Sequence, residues 1–241
     1  QQRQVFAIKP DGTQKWLYEL PAVGDVFGVI AKSDSVVAIF ENGHIRELSL
    51  TTGAVIDSML LEHSEPFGQA QPKIRAPSLL HSSGNIIVPI SGEHPQNRGS
   101  IVALDPNLDE VWRYDIPFGN GATHAIHLAE GLDGNIIYHN DPDLVYSLNS
   151  NTGTKNWHVT QSFSGDTEPV IAADGNIYGA NSSSLFSMSR IDGSILWSKS
   201  ITGINGPIVL VPDSLGDGTP GSGGMIFSAG PTMYWVDKSG N

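Results

Sequence analysis

Ser147-Leu148-Asn149-Ser150-Asn151-Thr152-Gly153-Thr154-Lys155-Asn156-Trp157 decides the fold, because the chain repeats this phrase. A small residue opens it, a glycine follows six positions on, and a tryptophan stands four positions after the glycine. Ser187 to Trp197, around Gly193, is a second full copy. Ala7 to Trp16, around Gly12, and Ala103 to Trp112, around Leu108, are one residue shorter in the turn. Glu47 to Asp57 keeps the frame and Gly53 but has Asp57 where the others have tryptophan. A sixth copy runs from Met233 to Gly240. Glycine supplies positive φ in such a turn, and Asp or Asn caps it with the side chain, so each copy reads as a hairpin. A period of about 40 to 55 residues indicates a series of like units.

Each unit carries the same strand signals in the same order. Gly84-Asn85-Ile86-Ile87-Val88-Pro89, Gly134-Asn135-Ile136-Ile137-Tyr138 and Gly175-Asn176-Ile177-Tyr178 are short β-branched runs that open at a turn. Runs without polar alternation suit strands buried on both faces. The next strand alternates more, as in Leu144-Val145-Tyr146-Ser147-Leu148, and the strand after the turn carries the tryptophan. Pro77, Pro169 and Pro207 precede the first strands, where a missing N–H costs no ladder bond. No stretch has a sustained helical period. The expectation is an all-β chain, a β-propeller of four-stranded antiparallel blades. About five to six blades are seen, within a propeller of about seven or eight. The approximate repeats are 1–20, 21–60, 61–116, 117–160, 161–201 and 202–241, forming a single propeller domain or part of one. Trp16, Trp112, Trp157 and Trp197 are expected between neighbouring blades, where burying one ring contributes about 2–3 kcal/mol.

Composition narrows the partners. The formal net charge is −12 over 241 residues, which repels phosphate backbones and disfavours nucleic acid. No stretch approaches the roughly 18 apolar residues of a spanning helix. The chain has no cysteine, so disulfides, thiolate metal sites and cysteine nucleophiles are all excluded. It starts at Gln1, as a trimmed chain or a mature exported chain would. The expectation is an exported protein at the periplasm, the cell surface or beyond.

The frame small-x-Asp-x-x-Thr-Gly-x-x-x-Trp resembles the docking motif of pyrroloquinoline-quinone (PQQ) type propeller repeats, and the likeness runs from Gln4 to Gly240. That family includes quinone- and calcium-dependent dehydrogenases of about eight blades, many with adjacent cysteines against the quinone. It also includes binding and assembly proteins without catalysis. Lack of cysteine and the smaller blade number argue against a quinone enzyme, so PQQ is not expected. One segment, Val211 to Gly221, resembles the calcium loop of FG-GAP-type repeats. The resemblance implies Asp213, Asp217 and the Thr219 carbonyl as ligands, with Leu215 and Gly221 in place of two others. Oxygen ligands at alternate positions of a glycine turn suit a hard cation; the alternative is a polar hairpin that keeps only the loop's shape.

The segments leading into the first strands hold Asp25, Arg75, His124, Glu168 and Asn205. They either line one ligand pocket or solvate a channel. Asp166 and Glu168 are candidate acid–base carboxylates. His124 and His127 are three apart, which on a strand turns their rings to opposite faces. The long loops 61–74 and 91–99 are the expected recognition surface for a protein or surface-glycan partner. The reading favoured is a binding or scaffolding module without catalysis. A quinone-dependent dehydrogenase fragment and a subunit of a cell-surface assembly are the alternatives.

Overall fold

The computed structural model describes residues 4–21, 24–62, 73–91, 99–117, 127–140, 144–163, 168–204, 206–211 and 223–241. The described residues form 21 strands and no helix. All sheet pairings are antiparallel, and strands neighbour one another in chain order. This is the β-propeller architecture of four-stranded blades. Two compact units make up the chain: Gln1–Ile126 with Asn151–Gly153, and His127–Ser150 with Thr154–Asn241.

The first unit opens with a hairpin of β1 (Gln4–Ile8) and β2 (Gln14–Glu19). A four-stranded sheet follows, made of β3 (Val26–Ala31), β4 (Ser35–Phe40), β5 (His44–Ser49) and β6 (Val55–Leu60). The next sheet contains β7 (Leu79–Leu80), β8 (Ile86–Ile90), β9 (Ser100–Leu104) and β10 (Glu110–Asp115). In the second unit the sheets are β11 (His127–Glu130) to β14 (Lys155–Thr160), with β12 (Ile136–Asn140) and β13 (Leu144–Leu148) between them. β15 (Val170–Ile171), β16 (Ile177–Ala180), β17 (Ser184–Met188) and β18 (Ile195–Ser200) form the second. β19 (Val209–Val211), β20 (Gly224–Ala229) and β21 (Thr232–Asp237) form a sheet of three.

Among the second strands, β4, β8 and β16 are buried along their whole length. In the first unit, Val37, Ile39 and Ile45 pack with Ile86, Val88 and Val102 in one cluster, while Val5, Trp16 and Leu20 pack with Val36, Phe40 and Leu48 in another. Burying each such side chain contributes about 1.5–3 kcal/mol. The third strands differ from their sequence pattern. Their polar alternation suggests an exposed face, yet β9 is buried throughout and β13 and β17 are buried in all but their first residue. The alternating residues are small, not solvent-facing: Ala103, Ser147 and Ser187 stand opposite Trp112, Trp157 and Trp197 in the ladder. A small side chain there makes room for the indole.

A bulge follows each of these pairs. Ala7 pairs with Trp16 but Ile8 pairs with Gln14, and Ser147 pairs with Trp157 but Leu148 pairs with Lys155. The extra residue on the outer strand sharpens the local twist.

Candidate functional site

The turns and indoles build the most regular constellation in the molecule. Trp16 Nε1–H donates to the Leu50 carbonyl at 3.1 Å, in the turn between β5 and β6. Trp157 Nε1–H donates to the Arg190 carbonyl at 3.0 Å and Trp197 Nε1–H to the Lys238 carbonyl at 2.8 Å. Each ring lies flat over a glycine of the same turn. A methyl group on Gly53 would stand 2.7 Å from the Trp16 ring, and one on Gly193 2.8 Å from Trp157. The corresponding distances are 2.5 Å for Gly153 to Trp112 and 3.0 Å for Gly240 to Trp197. These glycines also hold φ between +68° and +84°. Left-handed backbone and ring contact therefore both demand glycine.

One seat is built differently. Asp57 takes the tryptophan's place on β6, and its ladder partner is Glu47 in place of a small residue. The turn it would meet, Asp105 to Asp109, has Leu108 where the others have glycine, and Leu108 alone among non-glycine described residues has positive φ, 64°. Leu108 is buried in the Ile39–Ile86 cluster. It fills from its own turn the space an indole fills elsewhere. The carbonyl bond is replaced too: Lys32 Nζ donates to the Pro106 carbonyl at 2.8 Å and to Glu47 Oε1 at 2.8 Å. The Ser35 hydroxyl donates to the same Glu47 oxygen. Four residues thus change together where one tryptophan is missing.

Of the five polar residues leading into the first strands, Asp25, Arg75 and Glu168 are described; His124 and Asn205 lie outside the described residues. Asp25 precedes β3, and its carbonyl accepts from Glu41 N–H at 2.8 Å. Arg75 is exposed beside buried Ile74, whose N–H donates to the Glu41 carbonyl. Glu168, in the second unit, accepts from His127 Nδ1–H at 3.2 Å. Glu168 is thus joined to a histidine of its own unit.

His127 brings a further pair. It faces His139 directly across β11 and β12, and the two rings stack 6.4 Å apart at 8°. His139 is buried and packs on Phe163, centroids 4.6 Å apart. Sequence reading missed this group. Its one signal is mirror placement: His127 and His139 are equally far from Asp133, in the turn between them. The carboxylate fixes one imidazole tautomer and gives the pair a polar, solvent-facing end. Among the described residues no three His, Asp or Glu converge as metal ligands. Asp166, Asp213, Asp217, Thr219, and most of loops 61–74 and 91–99 lie outside the described residues. The residues that the calcium-loop resemblance implies as ligands thus all lie outside the described residues.

The second unit also contains a mostly apolar cleft of about 230 Å³, lined by Ala172, Tyr178, Leu210, Val211, Met225 and Lys238 among others. Tyr178 OH donates to Asp174 Oδ2 at 3.0 Å. Burial, and then the Asp174 carboxylate, push its phenol up to about 12.

Repeated indole seats on four-stranded sheets define the class: a propeller of PQQ-type repeats. The chain belongs to the family described as outer membrane protein assembly factor BamB, which matches residues 1–199. No curated protein is similar to the chain in sequence. Among solved structures, BamB from Moraxella catarrhalis is similar with a TM-score of 0.67 and 14% identity, over 99% of this chain and 69% of that one. A protein of unknown function from Bacteroides caccae gives 0.57 and 15%, over 99% and 87%. The quinohemoprotein alcohol dehydrogenase from Comamonas testosteroni gives 0.65 and 16%, over 84% of this chain and 41% of that one. At such identities the likeness is one of fold, shared by assembly factor and dehydrogenase alike. No helix among the described residues is long and apolar enough to cross a membrane, which says nothing of β-barrels.

Proposed function

We propose that the chain is a binding or scaffolding propeller that works outside the cytoplasm, holds a protein partner and carries out no reaction. The observation that supports it best is β6. This outer strand is exposed along most of its length, and Val55, Ile56 and Leu60 are 47%, 58% and 46% exposed. Three exposed apolar side chains on a sheet edge suit addition of a partner's strand, with main-chain bonds giving affinity and the side chains giving selectivity. The family's description as an assembly factor points the same way.

A photoreactive residue placed at Ile56 in the producing cell is expected to cross-link one protein, and Ile56→Asp, judged folded by circular dichroism, is expected to lose that partner. Cell fractionation should find the chain outside the cytoplasm. The rival reading is a quinone enzyme. If the protein, given PQQ and calcium, retained quinone absorbance through gel filtration and oxidised an alcohol with a dye as acceptor, the proposal would fail.

A further inference from the structure

The cleft of the second unit indents the cluster in which Ala172, Tyr178 and Met225 are buried and against which Leu210 packs. Tyr178 and Ala172 come from the β15–β18 sheet and its first turn. Leu210, Val211, Gly224 and Met225 come from β19 and β20. Across that ladder Leu210 pairs with Met225 and Val211 with Gly224. A methyl group on Gly224 would stand 2.5 Å from the Val236 carbonyl oxygen. Glycine is therefore required there, and this part of the wall stays without a side chain.

The walls are held from behind. Tyr178 OH donates to Asp174 Oδ2, and Asn176 Nδ2–H donates to the same oxygen at 3.0 Å. Asp174 does not line the cleft, so the phenol's proton is engaged outside it and the ring adds apolar surface. The Trp197 ring packs on Tyr178 with centroids 6.0 Å apart, and its Nε1–H fixes the Lys238 carbonyl. Lys199 Nζ donates to the Gly240 carbonyl at 2.8 Å, two residues on. Such a cavity is formed before a ligand arrives, which lowers the cost of binding.

Lys238 is the one charged residue among those lining the cleft, and it is partly buried. Every other lining residue is alanine, leucine, valine, methionine, glycine or the tyrosine. An apolar wall with a single cation calls for an apolar body with a single negative charge. A cavity of about 150 Å³ holds benzene. In proportion, the volume of about 230 Å³ holds roughly nine non-hydrogen atoms.

We propose that this cleft binds a small monocarboxylic acid with an unbranched hydrocarbon chain. The chain lies between Tyr178, Leu210 and Met225, and the carboxylate lies beside Lys238. The site belongs wholly to the second unit, whereas β6 belongs to the first, so its test is independent of the function proposed above.

The probe is octanoate, titrated below its micelle concentration into the methyl-labelled full chain and followed by NMR, with octanol and octylamine as controls of the same length. Octanoate is expected to shift the methyl signals of Ala172, Leu210 and Met225 saturably, and to bind more tightly than octanol and octylamine. Lys238→Met keeps the length of the side chain and removes its charge; it should weaken octanoate binding about fivefold and abolish the preference over octanol. Ala173 is exposed and lines the cleft, so Ala173→Trp narrows the cleft from outside the core and should weaken all binding there. If Ala173→Trp does not fold, Lys238→Met decides the matter. Absence of saturable shifts, shifts confined to methyls elsewhere, octanol or octylamine binding as tightly as octanoate, or indifference to Lys238→Met overturns the proposal.

Discussion

Trp16 and Gly53 are a matched pair, and their substitutions should not add. Trp16 is buried and donates one hydrogen bond. Trp16→Ala is expected to cost about 3–5 kcal/mol, and Trp16→Phe, which removes the N–H and part of the ring, about 1–2 kcal/mol. Gly53→Ala places a methyl against the ring and strains a positive φ, at about 2 kcal/mol or more. Urea unfolding of the double variant Trp16→Phe/Gly53→Ala should show a coupling of about 0.5 kcal/mol or more, because both changes act on one contact. Strict additivity would mean that ring and glycine do not meet. The turn carboxylates respond to acid. Asp11 is held below the ordinary carboxylate range first by the Thr13 hydroxyl, Asp192 first by the Ser194 hydroxyl, and Asp237 first by the Asn241 N–H. A depressed folded value means that the stabilisation is present above the unfolded value and is lost as pH falls through the folded one. Melting temperature should therefore fall below about pH 4, and fall less in Asp11→Ala/Asp192→Ala/Asp237→Ala. An unchanged acid slope in that variant would remove these turns from the acid response.

At the scale of one sheet, the seat lacking tryptophan is a set of compensations. Glu47→Ala leaves Lys32 without its carboxylate while the Pro106 carbonyl contact remains; loss of this partly buried pair is expected to cost about 1–3 kcal/mol. Leu108→Gly relieves the positive φ but opens a cavity, for a net cost of about 1–3 kcal/mol. Adding Asp57→Trp to Glu47→Ala/Leu108→Gly should restore part of the loss, because an indole then has a small opposite residue, a glycine and a carbonyl. Thermal unfolding of the three variants checks this; a triple variant less stable than the double would show that the space is not indole-shaped. This seat also marks where sequence reading stopped. The recurrence of Gly153/Trp157 and Gly193/Trp197 is local, so hairpin, strand order and blade type are legible from spacing alone. The joint replacement of Lys32, Glu47, Asp57 and Leu108 spans two sheets, and only the ladder shows that these residues meet. His127 and His139 are intermediate: their mirrored spacing about one turn is visible, but Glu168 comes from another sheet and gives no local sign. The burial of Ser147 and Ser187 follows from the facing indoles, Trp157 and Trp197, and the alternation of their strands does not show it.

For the whole chain, charge sets the company it keeps. With 25 acidic against 13 basic side chains, the field repels polyanions at neutral pH. The protein is expected to pass unretained through heparin or DNA columns at about 50 mM salt, where phosphate binders hold most tightly. Solubility should be least near its sequence pI of about 4.9, where net charge no longer keeps molecules apart. Retention on heparin would point to a basic patch that the overall balance conceals.

The indole seat has a consequence for how such sheets can be joined. The β15–β18 sheet receives the Trp157 ring at its Gly193 turn and gives the Trp197 ring from its outer strand, so the joint has a direction, like a plug and a socket. Two identical surfaces related by a twofold axis would set plug against plug. Any assembly that reuses this joint must therefore run head to tail, and a sheet can be added or exchanged without redesigning its neighbours as long as that polarity is kept.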